Sequence, residues 1–339
     1  MEVGVVRGRA WRLVRFGAAK ESIELREMTW EPPTHGRLLI RVRAAGAGYP
    51  DVMMAAGQFP LLGAPPFGLG EEAAGEVVAV PSGSQFAVGD QVAGITAFLD
   101  GWGGYAEYAY LREESSMRIP PGMTDAQAAG FPIAFRTAYA ALVHRVPVSK
   151  GQRLVVLGAA GSSGVAALQL GRARGAEVIA VAGSPEKTSF CLRLGADHAI
   201  NYRTEDLAAR LAEITGGVGV DVVFDPVGGD TAAQVVRAIA RNGRVALVGL
   251  ASGQPLPLDP MDLLLRNYTV SGVLATPLED PAAEAAVWAE LVELATTGAV
   301  TTPVGTVYDF EDVPRMVAEQ ATPGPGKTVV EISGQARQG

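Results

Sequence analysis

From Leu154 to Gly171 the chain reads LVVLGAAGSSGVAALQLG, without a charged residue. A membrane-spanning helix needs roughly 20 mostly apolar residues. This stretch is slightly short, and Gly158, Gly161 and Gly164 sit at its centre, where each would weaken a helix. The pattern divides better into three pieces. Arg153–Leu157 (RLVVL) is apolar and β-branched and predicts a buried strand. Val165–Gly175 (VAALQLGRARG) predicts a helix, with Arg172 and Arg174 late, where the helix dipole favours cations, and a glycine as the stop. The three glycines form the turn between them.

The same alternation continues. Glu177–Ala182, His198–Tyr202, Val220–Gly229, Gly243–Gly253 and Asn267–Ala275 read as strands, with helices such as Thr231–Gly243 between them. Repeated β-α-β units with short loops predict a parallel, doubly wound sheet and an α/β fold. Residues 1–125 differ: Arg37–Gly46, Glu71–Val80, Gly89–Ile95 and Gly103–Leu111 are strand-like, separated by Gly- and Pro-containing turns such as Ser82–Asp90 and Leu99–Gly104. This predicts an irregular, mostly β domain. Thr124–Val143 reads as a helical connection with Thr124 as its N-cap. After residue 275 come a helix (Ala282–Gly298), a closing strand (Gly326–Ile332) and a frayed tail from Ile332 to Gly339. Gly253–Pro260 is a Pro-rich loop, and there are no internal repeats.

Composition narrows the function. The 339 residues are 48% hydrophobic, enough to fill two cores. The net charge is −8 and no run of Lys or Arg stands out, which argues against nucleic acid and anionic membrane as partners. Cys191 is the only cysteine, so neither an internal disulfide nor a multi-thiolate zinc lobe can form. A single thiol fits a reducing compartment, and the N-terminal MEVGVVRGRAWRLVRFG scatters charges where a signal peptide needs an apolar core. A cytoplasmic location is the expectation.

The glycines carry the first chemical signal. At a strand-to-helix turn they let a ligand approach the backbone, and the first helical N–H groups point outward at it. Ala160, Gly161, Ser162, Ser163 and Gly164 are therefore expected to cradle a pyrophosphate. A tight turn with no ligand is the plain alternative, since the spacing is G-x-x-G-x-x-G rather than G-x-G-x-x-G. The second strand runs into Gly183-Ser184-Pro185-Glu186-Lys187, with no acid at its end to hold a ribose diol. Ser184 can donate a hydrogen bond and Lys187 adds positive charge, which points to the 2′-phosphate of NADP(H); Glu186 can face away on the helix, and Lys187 can equally be an ordinary exposed residue. Ligands of such sheets sit beyond the carboxyl ends of the strands, which adds Val227, Gly228, Gly249, Leu250, Val273 and Leu274 by position.

The order of motifs along nearly the whole chain resembles the zinc-independent quinone oxidoreductase branch of the medium-chain dehydrogenase/reductase superfamily. The carriers are AAGAGYPDVMMAAGQFP, GLGEEAAGEVVAV, FAVGDQVAG, GGYAEY, FRTAYAAL, GAAGSSG, LGADHAINY, DVVFDPVGG, GRVALVG and GKTVV. The resemblance implies a GroES-like, mostly β catalytic domain (1–125 and 275–339) and a Rossmann NADP(H)-binding domain (126–274). It implies that Thr137 lies near the nicotinamide and Tyr202 beside the adenosine phosphate. Zinc-dependent relatives place their ligands at the positions of Gly48, Glu71 and about Ile133. Those residues cannot make a tetrahedral zinc site, and His35, His144 and His198 show no ligand spacing. No metal is expected.

Gly48 also replaces an Asn common in the branch. Tyr49 occupies the place where related enoyl reductases carry an aromatic residue; it is the candidate proton or hydrogen-bond donor, or else one wall of the pocket. Asp51 reads as the N-cap of VMMAAG, and Glu71 and Glu72 as turn structure rather than a catalytic pair. Met53, Met54, Phe59 and Phe67 fit either a pocket lining or core. The expected reaction is hydride transfer from NADPH to a small apolar quinone or enone. An enoyl-thioester reductase is the alternative within enzymes, and an NADPH-binding sensor or structural protein is the alternative outside them. The last strand, near Asn267–Leu274, is an edge that a twofold copy would cover, which predicts a homodimer.

Overall fold

A computed structural model describes residues 4–34 and 36–332. His35 and the segment after Ile332 expected to fray lie outside the described residues, as do the first three residues. The described chain falls into two compact units. The first holds the residues up to Ile133, Pro277–Thr296 and those from Thr302 onward; the second holds Ala134–Thr276 and Thr297–Thr301. Residues 126–133 thus belong with the first unit.

In chain order the first unit contributes β1 (Val6–Leu13), β2 (Ile23–Trp30), β3 (Arg37–Ala47), β4 (Phe67–Gly68), β5 (Glu72–Ala79), β6 (Gln91–Thr96) and β7 (Tyr108–Arg118). The second follows with β8 (Arg153–Leu157), β9 (Glu177–Ala182), β10 (His198–Asn201), β11 (Val220–Asp225), β12 (Ile239–Leu247) and β13 (Thr269–Gly272). The chain then returns to the first unit for β14 (Val304–Asp309) and β15 (Lys327–Glu331).

In the first unit one sheet has the order β14-β15-β3-β5-β6-β7, and a further β3–β7 pairing closes four of its strands on one another. Closure removes exposed edges. Leu38, Ile40 and Val42 of β3 point inward with Val77, Val92 and Leu111, as the two-residue period of a strand requires. A smaller antiparallel sheet, β2-β1-β4, lies in the same unit. The sequence reading missed its β1–β2 hairpin. The buried positions of β1 include Gly8 and Ala10, whose side chains carry little hydropathy, while arginines occupy the alternate positions. Met54 and Phe67 are core residues, and Phe59 packs against that core.

The second unit is built on a parallel sheet in the order β10-β9-β8-β11-β12-β13. The order reverses between β8 and β11, the doubly wound arrangement of a Rossmann sheet. The four residues Leu154, Val155, Val156 and Leu157 have no exposed surface. The apolar run of the sequence is therefore a buried strand followed by a turn and the helix Ser162–Ala173. No helix among the described residues is long and apolar enough to cross a membrane.

Boundaries differ where backbone conformation overrides pattern. The helix expected over 231–243 is Gly229–Arg237, and β12 starts at Ile239 rather than Gly243. Asn242 there adopts a φ of 64°, and the β11–β12 register shifts. The single helix expected over 124–143 is broken near Gly130 into Asp125–Ala129 and Pro132–Tyr139, followed by a wider π-type turn over Ala140–Arg145. Thr124 is an N-cap: its Oγ1 accepts from the Gln127 N–H at 3.2 Å, and Gln127 Oε1 accepts from the Thr124 N–H at 3.0 Å.

Candidate functional site

The chain leaves β8 at Leu157 and turns on Gly158, whose φ of +59° suits glycine. The Gly161 N–H donates to Gly158 O at 2.9 Å, and the helix begins with the Val165 N–H donating to Gly161 O at 2.8 Å. The N–H groups of Ser162, Ser163 and Gly164 fall in the first turn, where no intrahelical acceptor exists, and both serines are half-buried. Three glycines do three jobs. Gly158 makes the turn. A β-carbon on Gly161 would meet only Gly158 O, at 3.4 Å, so this position is open to a ligand. A β-carbon on Gly164 would stand 2.3 Å from Gly158 O and 2.7 Å from Ala159 Cα, so this glycine lets the helix pack under the turn. Ala160 is buried and offers the turn its backbone only.

On one side of the turn lie the ends of β9 and β10. Ser184 caps the helix Pro185–Arg193, its Oγ accepting from the Lys187 N–H at 3.2 Å. Accepting there leaves the hydroxyl proton free to donate. Lys187 is half-buried in the first turn, and Glu186 is exposed. Tyr202 follows β10 directly, its ring against Gly183, where a β-carbon would stand 3.0 Å from the phenol oxygen. Arg203, which sequence reasoning passed over, lays its guanidinium over the Tyr202 ring at 5.9 Å from the centroid. Its position directly after Tyr202 was the signal available. Tyr202 meets Gly183, the neighbour of Ser184, with a cation on each of the two connections; no carboxylate stands at the end of β9, and Glu205 accepts from the Asn201 N–H at the end of β10 at 2.7 Å.

On the other side lie the ends of β11, β12 and β13. The Asp225 carboxylate is fully buried and accepts from the N–H groups of Val227 and Gly228 at 2.9 and 2.8 Å, which fixes that loop. Burial pushes the Asp225 carboxyl up against those two bonds. Val227 reaches toward Gly158: a β-carbon there would be 3.2 Å from Val227 Cγ2. Gly249 lies against Pro226, and Leu250 toward Gly228. Val273 donates its N–H to Leu247 O at 2.9 Å, and Leu274 is exposed. Thr137 sits half-buried on the helix Pro132–Tyr139. The carboxyl edge of the sheet thus carries a cationic, hydrogen-bonding end over β9–β10, an anion-receptive turn at β8 and an apolar end over β11–β13. These residues fit a phosphorylated dinucleotide.

The first unit holds a second concentration of chemistry. The helix Tyr49–Ala55 starts after Gly48, so Asp51 is not the N-cap, as its sequence position suggests, but lies one turn inside. It is fully enclosed and accepts from the N–H groups of Gly48 at 2.9 Å and Gly70 at 3.1 Å, and from the Tyr105 hydroxyl at 2.7 Å. Burial raises the Asp51 carboxyl against the pull of these bonds. Glu71 lies in the bend that follows Gly70, as expected, but Glu72 is strand rather than turn. Glu72 opens β5, is buried, pairs with Lys327 of β15 and accepts from the Ile133 N–H at 2.8 Å. Glu71 is 8% exposed, and neither of its carboxyl oxygens is a buried atom left without a partner. Burial, then the charges of Asp51 and Glu72, push it up to about 8. Tyr49 is half-buried at the first helical position.

The positions where zinc-dependent relatives bind metal hold Gly48, Glu71 and Ile133, a single carboxylate with no second donor. A zinc site needs three or four nitrogen, sulfur or oxygen ligands, so these residues do not fit one. Among the described residues no three His, Cys, Asp or Glu side chains converge as a ligand set. His198 Nε2 lies 3.1 Å from Glu177 Oε1, and His144 stacks edge-on against Tyr139.

Known proteins share this architecture. Residues 34–121 match the family model described as alcohol dehydrogenase GroES-like domain, and residues 164–297 match that described as zinc-binding dehydrogenase. Quinone oxidoreductase-like protein 2 of Bos taurus is 31% identical over 78% of this chain and 76% of its own length. Human quinone oxidoreductase is 30% identical over 78% of this chain and 79% of its own. The crystal structure of Escherichia coli quinone oxidoreductase complexed with NADPH is 26% identical and superposes with a TM-score of 0.87, covering 96% of this chain and 100% of the other. From its sheets, its glycine turn and these relatives, the chain belongs to the quinone oxidoreductase branch of the medium-chain dehydrogenase/reductase superfamily.

Proposed function

We propose that this protein is an NADPH-dependent reductase of small apolar quinones and of activated C=C bonds in α,β-unsaturated carbonyl compounds, acting without a metal. Its family makes it an oxidoreductase. The observation that carries the cofactor is the carboxyl edge of the parallel sheet, where Ser184 and Lys187 lie on the connection after β9, Arg203 lies on the connection after β10, and no acid stands at the end of β9. NADPH is present in the Escherichia coli relative's structure. The unpaired N–H groups of Ser162, Ser163 and Gly164 receive the pyrophosphate. The Ser184 hydroxyl and the cations of Lys187 and Arg203 receive the 2′-phosphate through charge-assisted bonds. Tyr202 stands beside the adenosine phosphate and Thr137 near the nicotinamide. Val227, Gly249, Leu250, Val273 and Leu274 give the nicotinamide end a mostly apolar surround, which keeps water from the reacting carbon.

When bound, NADPH supplies the hydride. The protein must then stabilise an acceptor oxygen that gains negative charge and must provide a proton. Tyr49 is a donor for that purpose. A spectrophotometric panel of quinones, enones and enoyl thioesters tests the reading. NADPH consumption with a quinone or enone, and little with NADH, is the expected result. Tight NADPH binding with no turnover on any acceptor would instead make this a binding protein.

A further inference from the structure

We propose that Asp225 is the positioning residue for the nicotinamide end of NADPH: its carboxyl holds two loops of the second unit in the shape that receives the ring, a role that rests on the cofactor reading above. Asp225 ends β11 and has no exposed surface. It is the only ionisable side chain in the stretches 225–229 and 248–255, which follow β11 and β12 at the carboxyl edge. Backbone bonds tie the two stretches together. The Asp225 main-chain oxygen accepts from the Val248 N–H at 2.8 Å, Pro226 O from the Ala251 N–H at 3.1 Å, and Val227 O from the Ser252 N–H at 2.9 Å. The Gly229 N–H donates to Pro255 O at 3.3 Å. Gly228, with a φ of +70°, brings the backbones so close that a β-carbon there would stand 2.4 Å from Gln254 O.

The Asp225 side chain completes this arrangement. Its Oδ1 accepts from the N–H groups of both Val227 and Gly228, at 2.9 and 2.8 Å, just before the helix Gly229–Arg237. Removing that oxygen would leave both donors unsatisfied. The turn it fixes sets Val227, whose Cγ2 lies 3.2 Å from the place of a β-carbon on Gly158. On the other stretch, Gly249 lies against Pro226 and Leu250 toward Gly228. The residues expected around the nicotinamide thus take their places from one carboxyl.

The second oxygen shows how that carboxyl works. Oδ2 is buried and has no hydrogen-bond partner among the described residues. A buried carboxylate that used its charge would hold a cation or further donors on that oxygen. Asp225 holds neither, and burial pushes its carboxyl up against the two N–H bonds. The neutral acid is therefore the favoured form, and the loop uses an accepting oxygen rather than a charge. An amide of the same shape supplies the same oxygen.

The test is titration calorimetry of the full chain at neutral pH with two probes: NADPH, and adenosine 2′,5′-bisphosphate, which carries the 2′-phosphate end without a nicotinamide. Asp225→Ala should bind NADPH about tenfold more weakly, because a loosened loop spends less time in its receiving shape. It should bind the bisphosphate as the wild type does, whereas a merely structural role would weaken both probes together. Asp225→Asn should match the wild type on both. A cooperative thermal transition certifies each variant as folded; should Asp225→Ala lack one, Asp225→Ser, whose hydroxyl is too short to serve both N–H groups, takes its place with the same expectation. Full NADPH affinity in the loosened variant, equal loss on both probes in a folded one, or lost NADPH affinity in Asp225→Asn would overturn the proposal. A wild type that binds neither probe defeats the cofactor reading itself. A wild type that binds NADPH and is matched by the loosened variant defeats this inference alone.

Discussion

Glu71 is a residue whose environment should be measurable apart from any activity. Its folded carboxyl keeps its proton to about pH 8, whereas its ordinary value is 4.5. The folded state therefore binds more protons than the unfolded one between these values. Stability from this group is fully present below about pH 4.5 and is lost as pH rises through 8. Thermal unfolding of Glu71→Gln against wild type should show the variant gaining relative stability from about pH 5 to about pH 8 and levelling off above it; a constant difference would mean that the carboxyl titrates normally. Cys191 is shifted too, its thiol pushed up to about 12 by burial, so it stays protonated and unreactive. The sequence disclosed the members of the acid cluster only singly. Asp51, Glu71, Tyr105 and Lys327 come from separate elements, and nothing in the local pattern says that Lys327 of the last strand reaches Glu72. Glu71 and Glu72 look alike as neighbours in sequence, yet Glu72 opens β5 and pairs with Lys327 while Glu71 lies in the bend before the strand.

At the scale of elements, the strand–turn–helix at β8 was the most legible part of the chain. An apolar strand, three glycines and a helix with late arginines all point one way. Its glycines should not respond alike. Gly164→Ala places a β-carbon 2.3 Å from a backbone oxygen, so the turn must move. That variant should lose several kcal/mol of stability, on the order of an overpacked core site (about 1–3) or more, and should bind NADPH at least tenfold more weakly. Gly161→Ala should fold with wild-type stability by the same denaturation measurement. Equal stability of the two variants would mean that the helix does not pack against the turn as described. Other elements were hidden for physical reasons. The β1–β2 hairpin buries small residues, and β14 is mostly exposed, so neither shows the apolar alternation that marks a strand. The β12 boundary was hidden by Asn242, whose left-handed backbone the hydropathy pattern cannot reveal.

At the scale of the molecule, β13 ends the parallel sheet with no neighbour on its outer side among the described strands. Met261, Leu264 and Leu265, on the helix leading into it, and Leu274, just after it, are all exposed. We propose that a second copy of the chain covers this edge. Light scattering should give twice the chain mass for the wild type and the single mass for the double variant Leu264→Glu, Leu265→Glu; a monomeric wild type would refute the pairing. The two-unit plan was readable from the shift between irregular β and regular β-α-β patterns, because each pattern has its own period. Substrate identity was not, since it depends on side chains that distant strands bring together.

The most direct measurement is NADPH oxidation by the purified protein with a quinone or enone acceptor, after exhaustive treatment with a chelator. NADPH consumption at an undiminished rate is the expected result, with the carboxyl edge holding the dinucleotide and no metal taking part. Failure to bind NADPH, or turnover that disappears with the chelator and returns with a divalent cation, would contradict it.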